Sequence, residues 1–224
     1  MEKTKKTARK PAPKQAGEKI KAAYMSHLLT HGQRPPSVYK FCLDLGISED
    51  AFYSYAGSFE AIEAEIWKGF LDHTTTALNA DKTFANFTAR EKMLAFYFTL
   101  IEVLRKNRSY VLLEFSLTRK PAVLPASLST FRKGFEAFVS QTLEAGKESG
   151  EVASRPGLTA RYPHLFWLHF GFILLFWRDD NSAGFERTDA AIEKSVNLAF
   201  DLIGKGAVDS TIDFAKFIYQ SRTN

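Results

Sequence analysis

Apolar residues recur at helical spacing along nearly the whole chain. Ile20, Ala23, Tyr24, His27 and Leu28 open the pattern. Gly32 stands where a left-handed C-cap would end this first helix. Pro35 and Pro36 break the chain, and Ser37 follows as an N-cap. Val38, Phe41, Cys42 and Leu45 then form a short amphipathic helix that Gly46 stops. Ser48 is the next N-cap, ahead of Phe52 and Tyr55, and Gly57 closes that segment. Ser58 caps a longer helix carrying Ile62, Ile66, Trp67, Phe70 and Leu71.

The same period continues to the C-terminus. Residues 90–106 place Leu94, Phe98, Ile101 and Leu104 on one stripe. Residues 110–117 are short and apolar, and Pro121 and Pro125 mark the next break. Residues 129–147 carry Phe131, Phe135, Phe138 and Leu143, up to a loop at Gly150, Pro156 and Gly157. Residues 162–178 are apolar on every side, which predicts burial on every side, with one face against a second copy of the chain. A loop at 179–184 leads to 186–204, with Ile192, Val196, Leu198, Ala199 and Leu202. A last helix over 208–220 carries Ile212, Phe214, Phe217 and Ile218. There is no strand alternation, internal repeat or Gly-rich phosphate loop. The pattern predicts an all-α fold of about nine or ten helices. An N-terminal three-helix helix-turn-helix domain precedes a larger helical domain.

Composition narrows the class. With 45% hydrophobic and 25% charged residues, the chain reads as soluble and globular. Twenty Phe in 224 residues call for a large core or an apolar cavity to line. Cys42 is the single cysteine, so an internal disulfide and a cysteine zinc site are excluded, which suits a reducing cytoplasm. The longest apolar stretch, 165–177, falls short of the roughly 20 residues a bilayer requires, and His169 interrupts it. It reads as a buried helix, with no membrane span.

Charge is placed unevenly. Residues 1–21 hold Lys3, Lys5, Lys6, Arg9, Lys10, Lys14, Lys19 and Lys21 against Glu2 and Glu18, a net of +6. The whole chain is +5, so the remainder sums to −1. Residues 1–15, with Pro11 and Pro13, read as a disordered basic arm. No apolar run follows those charges, which argues against a secretory signal. Such an arm seeks phosphate or serves only as a solvated tail.

Residues 37–55 have the grammar of a helix-turn-helix: a short helix, a glycine, a polar cap and a second short helix. In that motif the second helix enters the DNA major groove by its N-terminal residues. Residues 20–66 resemble the DNA-binding domain of TetR-type transcriptional regulators. The resemblance rests on His31-Gly32, Ser37-Val38-Tyr39-Lys40-Phe41-Cys42, Leu45-Gly46-Ile47-Ser48, Phe52-Tyr53-Ser54-Tyr55 and Ser58-Phe59-Glu60-Ala61-Ile62, in that order. It implies a turn at Gly46-Ile47-Ser48 and a recognition helix bearing Phe52 to Tyr55. The DNA-facing set it nominates is Lys19, Ser37, Lys40, Ser48, Glu49, Asp50, Tyr53, Ser54 and Tyr55. Cys42 matches a small buried position. The chain departs from the family at Glu49 and Asp50, where a basic or small pair is common, and at Ala51 and Ala56. It departs again at Phe59, where the family has a phosphate-facing Lys.

The resemblance also implies a C-terminal domain that binds an effector and forms a homodimer through a four-helix bundle, here 162–178 and 186–204. The ring-rich candidates for an apolar effector pocket are Phe96, Tyr97, Phe115, Phe135, Phe138, Trp167 and Phe170. Taken singly, such rings read as core. His164 and His169 are five apart and do not share a helical face, and Glu60, Glu63 and Glu65 have no His partner. Asp179-Asp180 reads as a helix stop. No catalytic, metal or cofactor constellation is expected. The resulting division is an arm at 1–15, a DNA-binding domain at 16–57 and an effector and dimerisation domain at 58–224. The expected function is a homodimeric regulator of operator DNA. The alternative is a lipid- or isoprenoid-binding protein on the same fold, without specific DNA binding.

Overall fold

A computed structural model describes residues 13–117, 124–155, 157–204 and 206. The expected helix over 208–220 and most of the basic arm lie outside these residues. Nine α-helices and four short 3-10 turns, with no strand, make up the described chain. They are α1 (Pro13–His31), α2 (Val38–Leu45), α3 (Glu49–Tyr53), α4 (Phe59–Ala80) and α5 (Ala89–Arg105). After these come α6 (Arg108–Leu117), α7 (Ser129–Glu148), α8 (Tyr162–Asp179) and α9 (Glu186–Ile203). α1 starts inside the stretch expected to be disordered, because a proline is tolerated at a helix start, where its missing N–H costs nothing.

Local chemistry sets the helix boundaries of the head, α1 to α3. The hydroxyls of Ser37, Ser48 and Ser58 accept from the backbone N–H groups of Lys40, Ala51 and Ala61 at 3.1, 3.1 and 3.2 Å. Each satisfies one orphan donor at the start of a helix. Gly46 ends α2 at φ 70°, a conformation that side chains resist. Four rings fill the head. Tyr24 stacks on Phe59 at 5.3 Å, and Phe41 and Phe52 meet Phe59 edge-on at 5.6 and 5.7 Å. Phe59 thus serves core packing.

In the body, α4 forms a spine against α5 and α7, and α9 closes over α5. Two expectations change here. The buried face of α5 is Met93, Phe96, Tyr97, Leu100, Ile101 and Leu104, while Phe98 is exposed and Leu94 only partly buried. Helices on several sides, α4, α7 and α9, broaden and rotate that face. α8, expected to bury one face against a second copy, is covered over only part of its surface within this one chain. Leu165, Leu168, Phe172 and Phe176 form an outward stripe with 46%, 56%, 50% and 37% exposure. Leu198 and Leu202 on α9 are also outward, and Phe200 takes the buried place beside Ile192 and Val196. No helix among the described residues is long and apolar enough to cross a membrane.

Candidate nucleic-acid interface and its coupling to the helical body

α2 and α3 bury Phe41, Cys42 and Phe52, pack Val38 and Leu45 partly against the core, and turn their other residues outward. Tyr53 is exposed, and so is Tyr39 on α2, which the sequence reading had not singled out. Its signal was the (i, i+4) pair Tyr39 and Leu43 opposite the buried face. Glu49 and Asp50 occupy the exposed first turn of α3, where carboxylates favour the positive end of the helix dipole. The Ser54 hydroxyl donates to the Asp50 carbonyl at 2.8 Å and so caps the helix end. Tyr55 lies beyond α3 and packs on α1, where a Cβ at Gly17 would strike its ring. Burial, with Glu65 and Glu18 nearby, pushes its hydroxyl up to about 12. Tyr55 therefore belongs to the seam between α1 and α3, whereas Ser48, Glu49, Asp50 and Tyr53 share an open surface with α2.

The cations of the head are largely engaged. Lys40 Nζ is 2.6 Å from Asp44, Lys21 is 2.7 Å from Glu18, and Arg34 is held by Glu60 and Glu63. Among the described Lys and Arg side chains of the head, Lys19 alone has no acidic partner. Burial and the nearby Glu49 push the Cys42 thiol up, which keeps it protonated and unreactive.

Two buried carboxylates lie where head and body meet, and the first of them, Glu63, joins the two. Glu63 on α4 accepts from the Tyr24 hydroxyl at 2.6 Å and from Arg34 Nε and Nη2 at 2.9 and 2.6 Å. Glu114 on α6 accepts from Trp67 Nε1 at 2.8 Å and from the Ser127 hydroxyl. Burial pushes the Glu114 carboxyl up to about 7, against the pull of those hydrogen bonds. A cavity of about 350 Å³ lies between the two groups, lined by Arg34, Glu63, Glu114 and Ser127. The sequence offered one clue: Glu63 falls beside Ile62 and three residues before Ile66, on an apolar stripe.

The rings nominated for an effector pocket come together as solid packing. Phe96 stacks on Phe138 at 4.6 Å and tilts against Phe135 at 5.5 Å. Phe135 and Trp167 meet Phe170 at 5.4 and 5.3 Å, and Tyr97 lies 6.3 Å from Phe135. Phe115 stands apart, 5.9 Å beneath the Arg178 guanidinium. Beside this core, His169 bridges the Tyr97 hydroxyl and Ser195 Oγ, each at 2.8 Å. Ser195 donates its own proton to the Ala191 carbonyl at 2.5 Å, so His169 donates from Nε2 and accepts at Nδ1. Burial holds this imidazole neutral, down to about 4. An apolar pocket of about 320 Å³ lies between α8 and α9, lined by Leu158, Leu165, Phe166, His169, Leu202 and Ile203. Its rim residues Leu165 and Leu202 also belong to the outward apolar face. His164 is exposed and accepts from Arg132 Nη2 at 3.0 Å. Asp180 ends α8 as expected. Burial acts to raise its carboxyl, but hydrogen bonds from Ser182 and Thr188 win and hold it at about 2.

The family described as tetracyclin repressor-like, C-terminal domain, matches residues 92–218, more than half of the chain. No curated protein sequence matches it. A structure from Syntrophomonas wolfei str. Goettingen, assigned to the TetR family of transcriptional regulators, is 16% identical with a TM-score of 0.68. That match covers 88% of this chain and all of the other. A bacterial regulatory protein in the TetR family from Rhodococcus RHA1 is 17% identical with a TM-score of 0.52, covering 86% of this chain and 99% of its own. At these identities the likeness is one of fold.

Proposed function

The chain belongs to the TetR family, and on that premise we propose that it is a homodimeric transcription regulator whose head binds operator DNA. The carrying observation is the head itself. Two serine caps and one left-handed glycine hold α2 and α3 at a tight turn, with Ser48, Glu49, Asp50 and Tyr53 left open to a partner. In this reading Ser37, Lys40 and Tyr39 flank the groove-entering helix, and Lys19 with the arm at 1–15 supplies most of the phosphate-directed charge. Residues 16–57 form the reading head, and 58–224 the effector and dimerisation part. The stripe Leu165, Leu168, Phe172 and Phe176, with Leu198 and Leu202, supports dimerisation through α8 and α9, because so large an exposed apolar face calls for a cover. The effector is an apolar small molecule. The pocket between α8 and α9, rather than the six packed rings, is its docking place. The junction around Glu63 and Glu114 then carries the shift between DNA-competent and incompetent populations. No catalytic role or cofactor forms part of this proposal.

One observation favours a second reading. Glu49 and Asp50 are exposed at the start of α3, and Lys40 is already paired with Asp44. This is the surface of a head that repels phosphate. A lipid- or isoprenoid-binding protein on the same fold would be built this way.

Fluorescence anisotropy on the chain's own upstream DNA, across a salt series and with random DNA as control, separates the two. A regulator prefers its own site by on the order of 10³ or more. Equal, weak binding to both DNAs, lost on removing residues 1–15, would sink the first reading. Native mass spectrometry reports a dimer and any lipid that co-purifies.

A further inference from the structure

The last turn of α1 carries two histidines, His27 and His31, spaced so that both lie on one face of the helix. Their rings stack, with centroids 4.1 Å apart and planes 21° from parallel. His31 Nδ1 is 3.0 Å from the His27 carbonyl oxygen. A carbonyl only accepts, so Nδ1 carries the proton and Nε2 keeps its lone pair. Metal-binding imidazoles are oriented in this manner, one ring N–H held by a carbonyl and the other nitrogen bare. Neither ring nitrogen of His27 has a hydrogen-bond partner among the described residues. His31 is exposed and His27 half-buried, so both rings are reachable from solvent.

We propose that His27 and His31 form a two-imidazole site for a divalent transition-metal ion such as zinc, nickel or copper, with water completing the coordination. Metal–nitrogen bonds are about 2.0–2.1 Å, so the two rings turn about their side-chain bonds until a nitrogen of each faces the ion. Imidazole suits these ions better than calcium or magnesium. No group of three His, Cys, Asp or Glu among the described residues could hold a metal, so the ion has two protein ligands here and open positions. An ion so held staples the final turn of α1. That turn runs directly into the loop whose Arg34 grips Glu60 and Glu63. Metal binding would thereby stiffen the head where it meets α4.

Calorimetric titration of the tag-free full-length chain with zinc, nickel and copper chloride tests the site. The expected result is one site, with copper bound most tightly. His27→Ala and His31→Ala should each weaken binding by more than the roughly 10–100-fold that loss of an outer-shell partner costs. His164→Ala should leave it unchanged. Metal should raise the melting temperature of the natural chain and of neither head variant. Matching melting temperatures without metal would show that the variants fold. Absence of metal binding by the natural chain, or variants that bind as it does, would overturn the proposal.

Discussion

The head closes around four rings, Tyr24, Phe41, Phe52 and Phe59, and serine hydroxyls cap α2, α3 and α4. The body closes around a longer run of rings, and α7, α8 and α9 begin without any side-chain cap. α9 is entered through Phe185 at φ 65°, a conformation unfavourable for a bulky residue. It is held because the Arg108 guanidinium sits 4.5 Å from both the Phe185 and Trp177 rings. In the head, each boundary is decided within four residues of itself. In the body α5 also begins with a local capping box, of Thr88 and Glu91, whereas α7, α8 and α9 are placed by burial among distant residues. The head's exposed helices are short, and local caps hold their shape.

The sharpest test of this contrast is a hole in the body. Phe135 is fully buried among Phe96, Tyr97, Phe131, Trp167 and Phe170. Phe135→Ala should lower the unfolding free energy by about 3–5 kcal/mol, read by urea denaturation. A loss below about 1 kcal/mol would mean the rings are loosely packed, and would return them to candidacy as an effector cavity.

A somewhat smaller effect is expected at the junction. The Glu114 carboxyl ordinarily titrates at 4.5 and is raised to about 7 in the folded chain. The folded state thus holds a proton that the unfolded state has released. Stability is full below about 4.5 and falls as pH rises through 7, by on the order of 3 kcal/mol. Melting temperatures from pH 4.5 to 8 should show this decline, and Glu114→Gln should flatten it. An unchanged slope in the variant would remove Glu114 as its source.

The smallest effect belongs to the head. Ser48→Ala removes the bond to the Ala51 N–H and should cost about 0.5–2 kcal/mol. Because this cap orients α3, the loss in operator affinity by anisotropy should exceed what the fall in folded fraction explains. A variant that binds DNA as the natural chain does would place recognition elsewhere than α3.

The turn of the head was legible because Ser37, Gly46, Ser48 and Ser58 act on their own neighbours. The partners of Glu63 and Glu114 were not. Arg34 and Glu63 are 29 residues apart and Trp67 and Glu114 are 47 apart, and no periodicity encodes such pairings. Tyr55 was read as part of the recognition helix from its place in a motif. Its contact with Gly17 joins segments that only the folded chain brings together.

By itself, then, the sequence determined an all-helical chain, the order of its helices and the capped turn that α2 and α3 make. These depend on φ/ψ preference and hydrogen bonds within a few residues. Tertiary structure alone decided which side of α5 is buried, which residues form the open stripe of α8, and that Phe59 serves the core. The period of a helix shows that it has an apolar face, but only its neighbours determine which part of that face is covered.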